Sequence, residues 1–266
     1  MTLRPALARY DHLLLDLDGC LWVGEEPVPG AAEAVHALRE AGKGLAFLTN
    51  DGRHAPDHFV RKLWRLGFRA SLDEIVTCGA ALQFVLAGRG REGGAAFVIG
   101  AQALVDHVAE AGLRIVNNTE FATRADVVVV AAHDAFDYRE LRIATQAVLR
   151  GATLIGLTRD RTFPMPDGPW PASGPLLAAV EEATGHRAEL TVGKPEPQMY
   201  AAARDRLGPG RYLAVGDRLD IDVAGARRSG LDSALVLSGG TGRAEADAAD
   251  PRPTHVAETL GTLVLA

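Results

Sequence analysis

Residues 13–19 read Leu-Leu-Leu-Asp-Leu-Asp-Gly, and they decide the fold because they join a short apolar run to two carboxylates and a glycine. An apolar run of this length is typical of a strand that is buried in a parallel sheet. Amphipathic segments alternate with further short apolar runs along the rest of the chain, which is the pattern of βαβ units. We therefore predict an α/β fold in which this strand belongs to a parallel sheet.

The alternation is interrupted by the glycine-rich stretch at residues 88–94. A second alternating unit begins after that stretch, with strands and helices of its own. The first pattern resumes after the proline-rich segment 164–175, with an apolar strand that ends in Gly216-Asp217. We predict a core domain that is interrupted by an inserted α/β domain, with the core at residues 1–79 and 173–266 and the insertion at residues 80–172.

The composition excludes several classes of protein. The 266 residues are 47% hydrophobic and 23% charged, as in ordinary globular proteins. The formal net charge of −6 and the lack of a basic stripe argue against nucleic-acid binding. The longest apolar stretch, 127–132, is far shorter than the roughly 20 residues that cross a bilayer, and the first residues lack the apolar run of a signal peptide. Two cysteines, Cys20 and Cys78, are too few for a disulfide framework, so we expect a cytoplasmic protein with neither nucleic-acid nor membrane partners.

Polar side chains stand at the ends of three predicted strands: Asp16 and Asp18, then Thr49 and Asn50, then Asp217. The carboxyl ends of parallel strands share one edge of the sheet, and ligands bind at that edge. A single Asp after a strand is often only a helix cap or a turn residue. Several carboxylates, with Asp222 close behind, would instead repel one another unless a cation lies among them. An oxygen-only donor set suits Mg²⁺ rather than zinc.

Four motifs occur in a fixed order, namely Asp16-Leu-Asp-Gly-Cys-Leu-Trp22, Leu48-Thr-Asn50, Val192-Gly-Lys-Pro195 and Val215-Gly-Asp-Arg-Leu-Asp-Ile-Asp222. With these motifs the chain resembles the haloacid dehalogenase-like hydrolase superfamily. The resemblance is closest to its phosphatases with a large α/β cap, the NagD and 4-nitrophenylphosphatase group, and it covers nearly the whole chain. It implies a Rossmann-like core of three layers with a parallel sheet and an inserted α/β cap domain.

The resemblance also implies an activity, Mg²⁺-dependent hydrolysis of small-molecule phosphomonoesters. Asp16 would be the nucleophile and would form an aspartyl-phosphate that water later hydrolyses. Asp18 would be the general acid for the leaving alkoxide and then the general base for water. Lys194 would place a positive charge on the phosphoryl oxygens, and Thr49 and Asn50 would donate hydrogen bonds to them.

A set of metal ligands follows from the same resemblance. Mg²⁺ would be held by the Asp16 carboxylate, the backbone carbonyl of Asp18 and the Asp217 carboxylate. Asp222 would act from the second sphere, where it would hold either a metal-bound water or Lys194.

The chain departs from the family at positions beside these motifs. Asp51 stands where relatives carry Asn, and a carboxylate there would repel a phosphate dianion, so we expect it to face away or to cap the next helix. In the inserted domain His133 stands where relatives carry Asp, and Thr158 stands where they carry Asn. These two positions are candidates for substrate contacts, although an ordinary loop histidine explains His133 equally well.

Two other functions are compatible with the motifs. One is phosphotransfer to a second small-molecule acceptor through the same intermediate, which requires that water is excluded. The other is ligand binding without catalysis on the same scaffold, which would be expected to have lost a motif residue, and none is lost. The resemblance slightly favours a homodimer. Glycerol phosphate, phosphoglycolate, a sugar phosphate or a nucleotide would each suit the predicted site.

Overall fold

The computed structural model describes residues 2–90, 93–165 and 167–266. Its contacts divide the chain into two compact units. The first unit contains the residues up to Thr49 together with Pro56–Val76 and Lys194–Ala266. The second unit contains Asn50–Ala55 and Thr77–Gly193.

The helices and strands follow in chain order. The first stretch contains β1 (His12–Asp16), β2 (Trp22–Val23), β3 (Glu26–Pro27), α1 (Ala31–Glu40), β4 (Gly44–Thr49), α2 (Pro56–Arg65) and β5 (Ile75–Thr77). The middle stretch contains α3 (Cys78–Ala87), β6 (Ala95–Ile99), α4 (Gln102–Glu110), β7 (Arg114–Ile115), β8 (Val127–Val130), α5 (Tyr138–Leu149), β9 (Thr153–Gly156), β10 (Thr162–Met165), β11 (Gly168–Pro171), α6 (Ser173–Thr184) and β12 (Leu190–Thr191). The last stretch contains α7 (Pro197–Leu207), β13 (Tyr212–Gly216), α8 (Ala224–Arg228), β14 (Asp232–Val236), α9 (Arg243–Ala248), β15 (His255–Ala257) and α10 (Leu260–Val264). Among the described residues, none of these helices has the length and apolar character needed to cross a membrane.

The first unit is built on a six-stranded sheet with the strand order β15-β14-β13-β1-β4-β5. Strand β1 pairs in parallel with both β13 and β4, and Leu15 lies opposite Val215 and Phe47. The three strands whose ends carry the predicted site residues are therefore adjacent at the middle of the sheet. This arrangement confirms the predicted α/β class and its Rossmann-like core.

Apolar side chains on β1 hold the middle of this sheet in place. Leu13 and Leu15 are fully buried and pack in one core with Val35 and Leu38 from α1. Burial of a leucine side chain contributes about 1.5 to 3 kcal/mol, so the apolar run before Asp16 anchors the strand. Asp16, the last residue of this strand, is thereby fixed where the carboxyl ends of the strands meet.

The second unit has its own parallel sheet, with the strand order β12-β9-β8-β6-β7. Strand β8 consists of four buried valines and pairs in parallel with β6 and β9. The antiparallel hairpin of β10 and β11 forms a separate small sheet. The inserted α/β domain predicted from the sequence is thus present as a second α/β unit.

The boundary of this unit differs from the one expected. The sequence predicts that residues 173–193 belong to the core, whereas in the structure they belong to the second unit. The reason is packing, since β12 pairs in parallel with β9 and the α6 residues Leu177 and Val180 are buried in the core of that unit. Residues 50–55 also belong to the second unit, which the sequence does not predict.

Candidate active site

Asp16 is the last residue of β1, and a buried lysine contacts its carboxylate. The Lys194 ammonium donates a hydrogen bond to Oδ1 of Asp16 over 2.5 Å. Burial is the largest cause that raises the pKa of Asp16 well above its usual value, and the charges of Asp222 and Asp217 raise it further, while Lys194 opposes them. A cation bound among these carboxylates would favour the ionised form of Asp16.

Lys194 lies between two carboxylates in the interior of the first unit. It is 4% exposed, and its Nζ also donates to Oδ1 of Asp222 over 2.7 Å. Burial acts to lower the pKa of Lys194, but the charges of Asp16 and Asp222 outweigh it and raise that pKa well above its usual value. Lys194 therefore carries a positive charge at neutral pH.

Asp217 follows β13 and is tied to a glycine-rich loop. The backbone N–H of Gly240 donates to its Oδ2 over 2.5 Å. A side chain at Gly239 or at Gly19, whose φ is +80°, would collide with the Asp217 carboxylate. Burial is the main cause that raises the pKa of Asp217, and the charge of Asp222 adds to it. The two glycines are needed for the carboxylate to reach this position.

Three carboxylates lie close together at the carboxyl ends of β1 and β13 in the first unit. Ligand oxygens of Asp16, Asp217 and Asp222 all lie within 4.8 Å of one another. Lys194 offsets part of their charge, and the remaining excess of negative charge in a largely buried site favours a bound cation. A donor set made of oxygen atoms alone fits Mg²⁺.

Asp18 is placed differently from these three residues. Its side chain is exposed and lies outside the cluster of three carboxylates. Oδ1 of Asp18 accepts a hydrogen bond of 2.7 Å from the indole Nε1 of Trp22, which is buried. The Asp18 carboxylate stands two residues after Asp16 in the chain and is held by an aromatic side chain.

Thr49 is the last residue of β4 and Asn50 follows it, but the two residues belong to different units. Thr49 is buried at the carboxyl end of the strand, in the first unit. Asn50 belongs to the second unit, where its Nδ2 donates to Oδ2 of Asp160 over 2.9 Å. A side chain at Gly193 would collide with Thr158, which is buried, and with Asn50. The predicted donation from Asn50 to a phosphoryl oxygen stays a prediction.

Two residues that depart from the family pattern contact neighbouring side chains and backbone groups of the second unit. The Asp51 carboxylate accepts hydrogen bonds from the backbone N–H of Arg53 over 2.7 Å and contacts Nδ1 of His54 at 2.9 Å. Burial opposes ionisation of Asp51, but these contacts and the Arg53 charge lower its pKa to about 2. His133 contacts Oε2 of Glu140 at 2.9 Å. The negative charge of Asp51 is therefore balanced by its own neighbours.

Three groups that donate hydrogen bonds to the aspartates of the site are not predicted from the sequence. They are the Gly240 N–H on Asp217, the Trp22 indole on Asp18, and the Tyr200 hydroxyl, which donates to the backbone oxygen of Asp222 over 3.1 Å. The glycine pair that follows β14 was a usable signal for the first group, because glycines after a strand often allow a close approach of the backbone. The other two contacts depend on three-dimensional packing and leave no pattern in the sequence.

Comparisons with known proteins agree with this geometry. A family model described as haloacid dehalogenase-like hydrolase matches residues 13–114, and a second HAD-hydrolase-like model matches residues 191–263. D-glycerol 3-phosphate phosphatase of Mycobacterium tuberculosis is 34% identical over 96% of this chain and 71% of its own length. Human chronophin is 38% identical over 93% of this chain and 88% of its own length.

A solved structure matches as well. The crystal structure of a glycerol phosphate phosphatase from Mycobacterium tuberculosis in complex with magnesium is 34% identical, with a TM-score of 0.89 over 96% of this chain and 77% of that chain. The chain therefore belongs to the haloacid dehalogenase-like hydrolases. Within that family it is a phosphatase, so the predicted family and enzyme class are confirmed.

Proposed function

We propose that the protein hydrolyses phosphate monoesters of small polyols, such as glycerol phosphate, through a covalent phosphate on Asp16. The observation on which the proposal rests is the cluster of three carboxylates around the buried Lys194 at the carboxyl edge of the sheet. The choice of a polyol rests on the relatives, among which D-glycerol 3-phosphate phosphatase matches 96% of this chain. A second relative, sugar-phosphatase AraL of Bacillus subtilis, is named for phosphate esters of sugars, which also carry several hydroxyl groups.

In the first half-reaction, the Asp16 carboxylate attacks phosphorus. A bond forms between a carboxylate oxygen of Asp16 and phosphorus, and the bond from phosphorus to the ester oxygen breaks. Asp18 gives its proton to that oxygen, so the leaving group departs as a neutral alcohol. Asp18 is then a carboxylate.

In the second half-reaction, water replaces Asp16 on phosphorus. The Asp18 carboxylate takes a proton from water as the water oxygen attacks phosphorus. The bond between phosphorus and Asp16 breaks, which releases inorganic phosphate and regenerates the Asp16 carboxylate. Asp18 holds its proton again for the next cycle.

The transferred phosphoryl group is bound by groups that donate hydrogen bonds. Lys194 supplies a positive charge, and Asp222 keeps its ammonium in place by the 2.7 Å contact. Thr49 and Asn50 are the proposed neutral donors, and donation from the Asn50 amide requires that it share its hydrogens with Asp160 or leave that residue. Such donors act on the charge that develops on the phosphoryl oxygens.

The cofactor is Mg²⁺, for which the carboxylate cluster supplies oxygen ligands. The proposed ligands are the Asp16 carboxylate, the backbone carbonyl of Asp18 and the Asp217 carboxylate. Bound Mg²⁺ offsets the negative charges of the nucleophile and the phosphate dianion, which would otherwise repel each other. A role of the second unit as a cap that sets substrate specificity, a cytoplasmic location and a homodimer stay predictions from the sequence.

The test is phosphate release from a panel of phosphomonoesters, with and without Mg²⁺, for the wild type and the Asp16→Asn variant. The substitution keeps the shape of the side chain and removes the nucleophile. We expect Mg²⁺-dependent release by the wild type, with glycerol phosphate among the best substrates, and a loss of at least about 1,000-fold in the variant. Ester cleavage that requires an added alcohol acceptor would support phosphotransfer instead, and activity that survives in the variant would rule out Asp16 as the nucleophile.

A further inference from the structure

The proposed acid and base, Asp18, has an unusual environment for an exposed carboxylate. Its side chain is open to solvent, yet Oδ1 accepts the 2.7 Å hydrogen bond from Nε1 of Trp22, which is 1% exposed. An exposed carboxylate without such a contact can rotate, so its two oxygens exchange places. The Trp22 indole fixes the orientation of the Asp18 carboxylate, which must transfer a proton to a defined atom.

Several contacts in the first unit fix the indole in turn. The backbone N–H of Gly19 donates to the Trp22 carbonyl over 2.7 Å, which closes a tight loop between Asp18 and Trp22. The Lys62 ammonium lies 4.7 Å from the centre of the indole ring and donates to the Gly24 carbonyl over 2.9 Å. A cation over the face of an indole is attracted to the ring. The aromatic ring is therefore held from its face as well as by the backbone.

We propose that Trp22 is a positioning residue that acts through Asp18, which rests on the acid and base role given to Asp18 in the proposed function. The indole N–H occupies Oδ1, so Oδ2 is the oxygen that gives its proton to the leaving group and later takes one from water. An indole N–H suits this role because it donates a hydrogen bond, does not accept one, and does not ionise at neutral pH. Proton transfer depends on such placement of the acid within reach of its partner.

A misplaced Asp18 should affect the cleavage of esters with different leaving groups to different extents. An alkoxide such as that of glycerol needs a proton as it leaves, whereas 4-nitrophenolate is a stable anion and leaves without one. A change that only misplaces Asp18 should therefore slow the cleavage of glycerol phosphate more than that of 4-nitrophenyl phosphate. The value of kcat/KM isolates this effect, because it covers the steps up to departure of the alcohol and excludes the later attack of water.

The test is the Trp22→Phe variant, which keeps an aromatic ring above Lys62 and removes the N–H. We expect kcat/KM for glycerol phosphate to fall about tenfold and kcat/KM for 4-nitrophenyl phosphate to change by less than about twofold. In the Asp18→Asn background, Trp22→Phe should cause no further selective loss, because the group on which it acts is absent. Trp64→Phe makes the same chemical change at a tryptophan that is 63% exposed and should leave both substrates unaffected.

Equal losses on both esters, or a selective loss that persists in the Asp18→Asn background, would overturn the inference and leave the proposed function standing. A wild type that cleaves neither ester would overturn both. Because Trp22→Phe can also weaken core packing, Trp22→benzothienylalanine provides a second variant, since this side chain keeps the bicyclic shape and lacks the N–H. The inference requires the same selective loss in that variant, with an unchanged circular dichroism spectrum.

Discussion

At the scale of single residues, Lys194 offsets part of the negative charge of the carboxylate cluster. Its Nζ donates hydrogen bonds to Oδ1 of Asp16 over 2.5 Å and to Oδ1 of Asp222 over 2.7 Å, and the side chain is almost fully buried. Lys194→Met removes the cation and keeps much of the apolar length of the side chain. We expect kcat to fall by about 100-fold to 1,000-fold, because the proposed donor to the phosphoryl oxygens is lost. Steady-state kinetics on glycerol phosphate measure the fall in kcat, and the variant Arg187→Met, at an exposed position, is the control. A loss of kcat below about threefold in Lys194→Met would contradict the role of Lys194.

Gly239 is a second residue with a defined consequence. A side chain there would collide with the Asp217 carboxylate, which is a proposed Mg²⁺ ligand. We expect Gly239→Ala to weaken Mg²⁺ affinity by about 10-fold, since supports of this kind around metal ligands typically contribute 10-fold to 100-fold. The Mg²⁺ concentration that gives half-maximal phosphate release reports the affinity. Gly242→Ala is the matched control, because a side chain there has open space apart from Glu245, and equal affinity in both variants would rule out the steric argument.

At the scale of elements, the helix α6 carries a buried carboxylate in the second unit. Glu181 accepts hydrogen bonds from Arg159 over 2.8 Å and from the backbone N–H of Ala188 over 2.8 Å. The Arg159 hydrogen bond is the main cause that lowers the pKa of Glu181 to about 2. Because this pKa lies below that of an unfolded glutamate, its stabilisation is present above about pH 4.3 and is lost as the pH falls towards 2.

The Glu181→Gln variant tests this contribution. We expect the free energy of unfolding at pH 7 to drop by about 1.5 to 3 kcal/mol, the range for a hydrogen bond to a charged group, and the difference from the wild type to shrink towards pH 2. Urea unfolding at several pH values measures it. The neighbouring exposed Glu182→Gln should have little effect at any pH, and a Glu181 effect that does not depend on pH would show that its charge is not responsible.

The elements also show what the sequence could predict. Apolar runs of several residues predict β1, β4 and β13 correctly, because a strand buried on both faces needs such a run. The short strands β12 and β15 were missed, since two or three residues carry no periodicity. The apolar pattern of residues 221–229 predicts a single α-helix, whereas the structure has a π-helix at Leu219–Val223 followed by α8. The N–H of Val223 bonds to the carbonyl of Arg218, a shift in hydrogen bonding that the apolar pattern does not reveal.

The site was predictable to the extent that it consists of side chains with distinctive chemistry. Asp16, Lys194, Asp217 and Asp222 follow from motif residues and from the adjacency of parallel strand ends. The glycine pair after β14 marks a place where the backbone can approach another group closely, but the partner of the Gly240 N–H was not predictable. Every residue but proline offers an N–H, and its target depends on how the loop packs. The domain boundary at Gly193 was missed for a similar reason, since it depends on which sheet β12 joins.

At the scale of the whole molecule, metal binding should be visible in stability. The three carboxylates repel one another in the folded protein, and a ligand that binds the folded state stabilises it by mass action. We expect Mg²⁺ at about 100 times its Kd to raise the free energy of unfolding by about 2.7 kcal/mol, and Tm by a few degrees. Thermal unfolding of the wild type and of Asp217→Asn with and without Mg²⁺ tests this. An equal shift in the two proteins would place the stabilising ion elsewhere.

The proposed mechanism requires that Asp16 carries the phosphoryl group during turnover. The Asp18→Asn variant should still be phosphorylated by 4-nitrophenyl phosphate, whose leaving group needs no proton, but it lacks the base for the attack of water. Acid-quenched mass spectrometry of this variant measures the intermediate directly. We expect a mass increase of one phosphoryl group in the peptide that contains Asp16, and no such increase in the Asp16→Asn, Asp18→Asn double variant. Turnover of the ester by the single variant with no phosphorylated peptide, or with the phosphate on another residue, would contradict this mechanism.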